Sequence, residues 1–247
     1  MGHSSIVGAF FLCFLISSPL VPNFQAMTKT NLLINNQMKF IKTFALFIII
    51  LCLTGCASGY RMIQPKAINY ISNNKTGGLT LQYKYDLLDK KYEKKEQKKE
   101  VKLVAIKITN NSDRDVIFGE DVTLEYENGN GAYVMENIKT YKTLKQSLTS
   151  YLWYLLLTPL NLTVSKTNSY GIPEETSSTP IGLVLGPGLA GGNMIAAGSA
   201  NKKFKTELLE YNLKGTVIKK GETKYGLIGI RSDSFDALKL RIINSTP

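Results

Sequence analysis

Histidine and cysteine are nearly missing from this 247-residue chain: one histidine, His3, and three cysteines, Cys13, Cys52 and Cys56. Residues 57–247 therefore contain neither type. That stretch cannot build a Ser-His-Asp or Cys-His nucleophile, a zinc site on imidazole or thiolate, or a structural disulfide. Any catalysis there would rest on carboxylate, Lys, Tyr or Ser alone. Tryptophan occurs once, at Trp153, and acids are in deficit, 19 against 30 Lys and Arg, for a formal net charge of +11. The first 37 residues lack something else. Their apolar stretch, Ile6 to Val21, is preceded by no Lys or Arg, the first being Lys29, so the positive n-region of an export signal is absent. Translation is expected to start at Met38, with residues 1–37 a gene-start artefact; a tandem leader is the alternative.

From Met38 the missing pattern is complete. Met38-Lys39-Phe40-Ile41-Lys42 is a basic n-region, and Phe44 to Leu53 is an apolar h-region about half the length a bilayer span needs. Leu53-Thr54-Gly55-Cys56 closes it with a small residue before the cysteine. This pattern resembles the lipobox of bacterial lipoproteins. The resemblance implies that residues 38–55 are a signal peptide cut between Gly55 and Cys56, and that Cys56 carries thioether-linked diacylglycerol and usually an N-acyl chain. Several chains at about 0.8 kcal/mol per buried CH₂ make a stable anchor. The competing reading is an uncleaved helix with an incidental cysteine.

Loss of the leader takes three lysines and no acids, so the +11 of the whole chain becomes +8 from Cys56 onward. A basic envelope protein meets anionic lipid or polysaccharide rather than nucleic acid. Ala57 lacks the acidic signal that resembles inner-membrane retention in enteric bacteria, so the outer membrane is the expected location.

After a tether of polar and small residues, 56–78, the chain alternates with period two. Leu79, Leu81, Tyr83, Tyr85 and Leu87 are apolar with polar residues between them, as are Val122, Leu124 and Tyr126, and Leu238, Leu240 and Ile242. Val101 to Ile108 is continuous enough for a central strand. Tyr225 to Ile230 is similar, with Gly226 and Gly229 marking a bulge or a close backbone approach. Asn110-Asn111-Ser112-Asp113 and Asn128-Gly129-Asn130-Gly131 are turn signals. The expected fold is mainly β, an immunoglobulin-like antiparallel β-sandwich over 79–137 and 216–243, carrying a hydrophobic, partly helical glycine-rich insertion over 138–215.

The run VAIKITNNSDRDVIF from Val104 through DVTLEYENGNG, with the late KGETKYGLIGI and DALKL, resembles immunoglobulin-like modules of an uncharacterised Bacteroidota-type lipoprotein family. The resemblance covers residues 79–135 and 216–243. It implies a fold and an extracytoplasmic location, and brings no catalytic residues with it.

Asp89 to Glu100 holds six lysines and four acids. Lys90, Lys94 and Lys98 at four-residue spacing could bind anions from one helical face, but the interleaved acids favour a solvated connection between strands. Asp113 with Asp115 and Glu120 with Asp121 are the nearest approach to paired carboxylates, and their turn-forming company makes them solvated loop ends.

The insertion contains 20 uncharged residues, Gln146 to Ser165, and 26 more, Thr176 to Asn201, joined by the polar linker Lys166 to Glu175 in the outline of a hairpin. Because the strand pattern is complete on either side, the insertion is expected to be removable. Tyr151, Trp153 and Tyr154 suit a membrane interface or a buried helix equally. Gly188, Gly192, Ala196 and Ala200 at four-residue intervals leave a groove for a second backbone, in self-association or membrane contact, or alternatively for packing within the chain. Pro187 should break a helix through the earlier pair Gly182 and Gly186. Gly186-Pro187-Gly188-Leu189-Ala190-Gly191 also has dinucleotide-turn spacing, without the strand before it that such a turn needs.

The sequence thus points to a non-catalytic, lipid-anchored envelope protein with a structural, assembly or adaptor role. No metal or cofactor is expected. Its partners would be the membrane through Cys56 and a second copy or another envelope protein. Binding of a glycan or lipid in an apolar pocket is the alternative, and a histidine-free hydrolase is the more distant one.

Overall fold

The period-two segments pair into antiparallel ladders. The computed structural model describes residues 56–167 and 170–243; segment 1–37, the leader 38–55 and Gly55 of the cleavage site lie outside the described residues. In chain order the strands are β1 (Asn74–Thr76), β2 (Leu79–Lys84), β3 (Val101–Asn110), β4 (Val116–Ile117), β5 (Val122–Tyr126), β6 (Val134–Met135), β7 (Leu162–Thr167), β8 (Pro173–Thr179), β9 (Val217–Ile218), β10 (Thr223–Arg231) and β11 (Leu238–Ile242). One sheet runs β1-β2-β3-β10-β6, and β5 with β11, β4 with β9 and β7 with β8 form two-stranded ladders. The helices are α1 (Lys90–Lys99), α2 (Asn137–Leu144) and α3 (Gly182–Glu210), with a 3-10 helix over Thr149–Leu157.

Alternation along β3 explains the layering. Val104, Ile106 and Ile108 face one way, into a core shared with Leu79, Leu81 and Tyr83 of β2, Leu124 of β5, and Leu238 and Leu240 of β11. Val101, Leu103 and Ala105 face the other way, onto Tyr92 of α1, Leu144 of α2, and Ala200, Phe204 and Leu208 of α3. The large sheet is thus packed against β strands on one face and helices on the other, which is why β3 reads as a nearly continuous apolar run. The helical layer is fastened by aromatic edges: Tyr92 and Tyr60 each lie with ring centroids 5.1 Å from Phe204.

Several expectations change in this frame. The apolar alternation through Leu87 does not remain one strand: β2 stops at Lys84, and Asp86 at φ 54° turns the chain so that Leu87 and Leu88 join the helical side. The lysine-rich stretch is a helix rather than a connection. Its Lys, Glu and Gln favour helix, and Tyr92 with Glu96, four residues apart, give it a buried face. Gly226 and Gly229 mark close approach without a bulge. The β3–β10 register is unbroken, and added Cβ atoms would meet Leu213 and Thr140 at 2.2 Å.

The stretch expected as a tether is fastened along its length, and segment 138–215 supplies Leu144, Ala200, Phe204 and Leu208 to the core. Excision of Lys145 to Lys203 would remove Ala200 from beneath the sheet. Leu144, Phe204 and Leu208 lie outside that excision.

Glu96 gives this layer a pH dependence. Its carboxylate is buried and accepts the Leu103 amide at 2.5 Å. Burial lifts its pKa from 4.5 to about 7, against the opposing pull of the Leu103 amide and the Lys102 charge. The folded chain therefore holds a proton that the unfolded chain releases between those values, so stability should fall as pH rises through this window, by at most roughly 3 kcal/mol from this group. Urea unfolding at pH 5 and pH 8 measures it. Glu96→Gln, of the same shape, should remove this part of the difference.

Candidate functional site

The insertion is organised by α3, whose first 20 residues, Gly182 to Asn201, carry no charge. The helix continues through Pro187 rather than ending there. Its buried face reads Gly182, Gly186, Ala190, Ala197, Ala200, Asn201, Phe204, Glu207 and Leu208, a spacing near the 3.6-residue repeat. Glycine is needed at the start of this face because the 3-10 helix lies directly on it. A Cβ at Gly182 would stand 2.2 Å from the Leu157 carbonyl oxygen, and one at Gly186 would stand 2.7 Å from Thr158 Oγ1.

The four-residue stripe singled out in the sequence behaves differently. Each four-residue step advances about 40° around a 3.6-residue helix, so the stripe winds from solvent to core. Gly188, Gly192 and Ala196 are exposed, whereas Ala200 is buried under the sheet. Nothing lies within 4 Å of a Cβ built on Gly188 or Gly192. Among the described residues, nothing packs against those two glycines. The dinucleotide-like GPGLAG sits inside the helix, with no turn.

Polar side chains on α3 and beside it fix the start of the described chain. Glu207, fully buried, accepts the Tyr60 hydroxyl at 2.6 Å and the Ile63 and Gln64 amides at 2.8 Å. Burial and this contact hold the Tyr60 hydroxyl far above its ordinary pKa. Asn201 exchanges two hydrogen bonds with the Gln146 backbone and accepts the Tyr92 hydroxyl at 3.0 Å. The Gln146 side chain in turn bonds both backbone groups of Ser58, and also accepts the Tyr151 hydroxyl at 3.1 Å. Finally, the Ala57 amide donates to Asn193 Oδ1. From Gln64 back to Ala57 the chain thus runs along α3 from Glu207 to Asn193, about 21 Å at 1.5 Å per residue. Cys56, exposed, follows at the end nearer the uncharged half of that helix.

Around that half, large apolar side chains face outward. Trp153 is 73% exposed, Val184 75% and Ile195 76%, and Leu152, Leu155, Leu156 and Leu183 are exposed as well. Of the aromatic trio, Tyr151 is buried against Gln146, Tyr154 is half-buried and Trp153 points out. A shallow groove of about 540 Å³ runs between Ser147, Thr149, Ser150, Leu152, Trp153 and Leu156. Ser147 and Ser150 also line a neighbouring groove of about 220 Å³, whose other wall is Lys91, Lys94, Lys95 and Lys98 of α1. Lys91 lies 4.7 Å from the Tyr151 ring centroid and donates to its hydroxyl. Burial pushes Lys95 below its ordinary pKa, and the charges of Lys99, Lys145 and Lys98 push it further. The α1 helix therefore presents crowded positive charge beside the apolar surface.

The carboxylate pairs are engaged elsewhere. Asp113 pairs with Lys220 at 3.0 Å, Asp115 accepts the Lys220 amide, and Asp121 accepts the Ile117 amide at 2.7 Å. The Lys220 contacts tie the β3–β4 loop to the chain after β9, and the Asp121 contact closes the turn between β4 and β5. Among the described residues no helix is long and apolar enough to cross a membrane, and no group of three or more His, Cys, Asp or Glu gathers as a metal site would.

Asn193, Asn201, Gln146 and Glu207 were not singled out by the sequence reading. Their signal was available: Asn201 and Glu207 are polar residues on the otherwise small and apolar buried face of one helix. No family model, curated protein or solved structure matches this chain.

Proposed function

We propose that this chain is a lipid-anchored protein of the bacterial cell envelope, non-catalytic, with a structural or adaptor role at the outer membrane. In this reading Gly55–Cys56 is the processing site, Cys56 carries the lipid, and the insertion makes the membrane contact. The two facing sheets act as an immunoglobulin-like module of the kind borne by Bacteroidota-type lipoproteins, open to a protein partner. The observation that carries the reading is the exposed Cys56, followed by Ala57 and Ser58 fastened to Asn193 and to Gln146, the latter beside the grooves lined by the α1 lysines and by Trp153. Acyl chains at that point continue an apolar surface already present, and their burial supplies the main membrane affinity.

A fatty-acid label fed to producing cells tests it. The label should appear on the wild-type chain and vanish with Cys56→Ala, which should accumulate as an uncleaved or mislocalised precursor. Undiminished label on the variant would end the lipoprotein reading.

Self-association is the second reading, favoured by the open backbone at Gly188 and Gly192. Binding of a glycan or lipid in the groove beside Trp153 is the third, and a native mass spectrum that retains a ligand would favour it.

A further inference from the structure

We propose that the folded body sits flush on the bilayer in one orientation, with the outer surface of the 3-10 helix, Leu152, Trp153 and Leu156, at the membrane interface. The lysine groove of α1 then lies over the phosphates of anionic lipids. This proposal rests on the lipid-anchor reading above.

The length of chain between anchor and body decides how far a lipoprotein can stand from its membrane. A flexible linker of 20 or so residues would give an r.m.s. reach of roughly 25 Å. Here there is no such length. Ala57 is bonded to Asn193, Ser58 to Gln146, and Ile63 and Gln64 to Glu207. The lipid therefore leaves the protein at a fixed point, next to Asn193 of α3 and Gln146.

What surrounds that point suits a bilayer. Gln146, which holds Ser58, lines the lysine groove; that groove shares Ser147 and Ser150 with the one lined by the exposed Leu152, Trp153 and Leu156, and an amphipathic tryptophan is favoured at headgroup level. With no helix among the described residues able to span a membrane, this surface lies in the interface. The adjoining groove adds charge complementarity. Its four lysines share the edge formed by Ser147 and Ser150 with the apolar surface. A bilayer that accepts Trp153 thus brings its headgroups to Lys94 and Lys98, and anionic ones are attracted.

The test uses the lipidated protein purified from producing cells and reconstituted into phosphatidylcholine vesicles, with and without phosphatidylglycerol. Because Trp153 is the only tryptophan, its fluorescence reports this surface alone. Lipids brominated on the acyl chains should quench it about two-fold or more, as expected for a ring at the interface. Phosphatidylglycerol should deepen the quenching, and Lys94→Glu with Lys98→Glu should cancel that increment. Leu152→Asp with Leu156→Asp should restore the fluorescence with the melting temperature and acyl label unchanged, both sites being exposed. Acyl-labelled, vesicle-bound protein whose Trp153 escapes quenching overturns the seating and leaves the anchor standing. The same holds if cross-linking shows the ring shielded by a second copy. Quenching indifferent to phosphatidylglycerol overturns the headgroup contact, and protein without lipid on Cys56 removes the premise and the proposal together.

Discussion

Gly182→Ala should unseat the 3-10 helix from α3 and lower stability by about 3 kcal/mol, whereas Gly192→Leu, a far larger change, should leave the melting temperature of the monomer in place. The contrast follows from what each side chain would meet. At Gly182 a single methyl would stand 2.2 and 2.4 Å from the carbonyl oxygens of Leu157 and Thr158 and 2.6 Å from the Leu160 nitrogen. All three are backbone atoms, and Leu160 accepts a hydrogen bond from the Gly182 amide, so neither element can shift without breaking it. At Gly192 the space is open. Thermal melts of both variants, with proteolysis after Tyr and Leu in the 3-10 helix, check the prediction. A cross-linked oligomer lost in Gly192→Leu with the melt unchanged would support self-association through that face. An equal drop in both melts would contradict the close contact described for Gly182.

The second large effect concerns the buried carboxylate of α3. Glu207→Leu should release the chain from Ala57 to Ile68 while the sheet stays folded. Glu207 accepts three donors, and no leucine replaces them. Loss of hydrogen bonds to a charged acceptor is worth about 3 kcal/mol, which corresponds to roughly 100-fold faster amide exchange at Ile63 and Gln64. Hydrogen exchange resolved by residue measures it directly. Glu207→Gln keeps the shape but turns an amide NH₂ toward donors, and should fall between the two. Exchange at Ile63 unchanged in Glu207→Leu would show that Asn193 and Gln146 suffice to hold the segment.

How much of this was legible depends on where the physics left a pattern. The strands β2, β3, β5, β10 and β11 announced themselves because burial on one or both faces writes a period of two, or a continuous apolar run, into the residues themselves. The α1 helix did not. Only Tyr92 among its ten residues is apolar, and its buried face is completed by Glu96, a residue normally taken for solvent. Cys56 was singled out because the lipobox that its surroundings resemble is a local motif, written in consecutive residues. The polar residues that position it were not, since Asn193, Gln146 and Glu207 act on a segment more than 80 residues away along the chain. The small-residue stripe does not share one face for a geometric reason: intervals of four drift around a helix, so Gly188, Gly192 and Ala196 are exposed while Ala200 is buried.

The pairing of β3 with β10 bears on the order in which the chain can fold. The two strands match Val101 with Arg231 and Thr109 with Thr223, so the middle of the large sheet is assembled from residues more than 110 positions apart. Until β10 is present, β1, β2 and β3 form a small meander with its third strand unpaired on one edge, and the helical layer has no complete floor to pack on. Such non-local closure is slow. A chain threaded through a translocation pore from its N-terminal end would therefore remain unfolded until nearly all of it had crossed. Under the proposed lipid anchor, Cys56 would by then already be at the membrane, and folding would proceed on a chain held by one end.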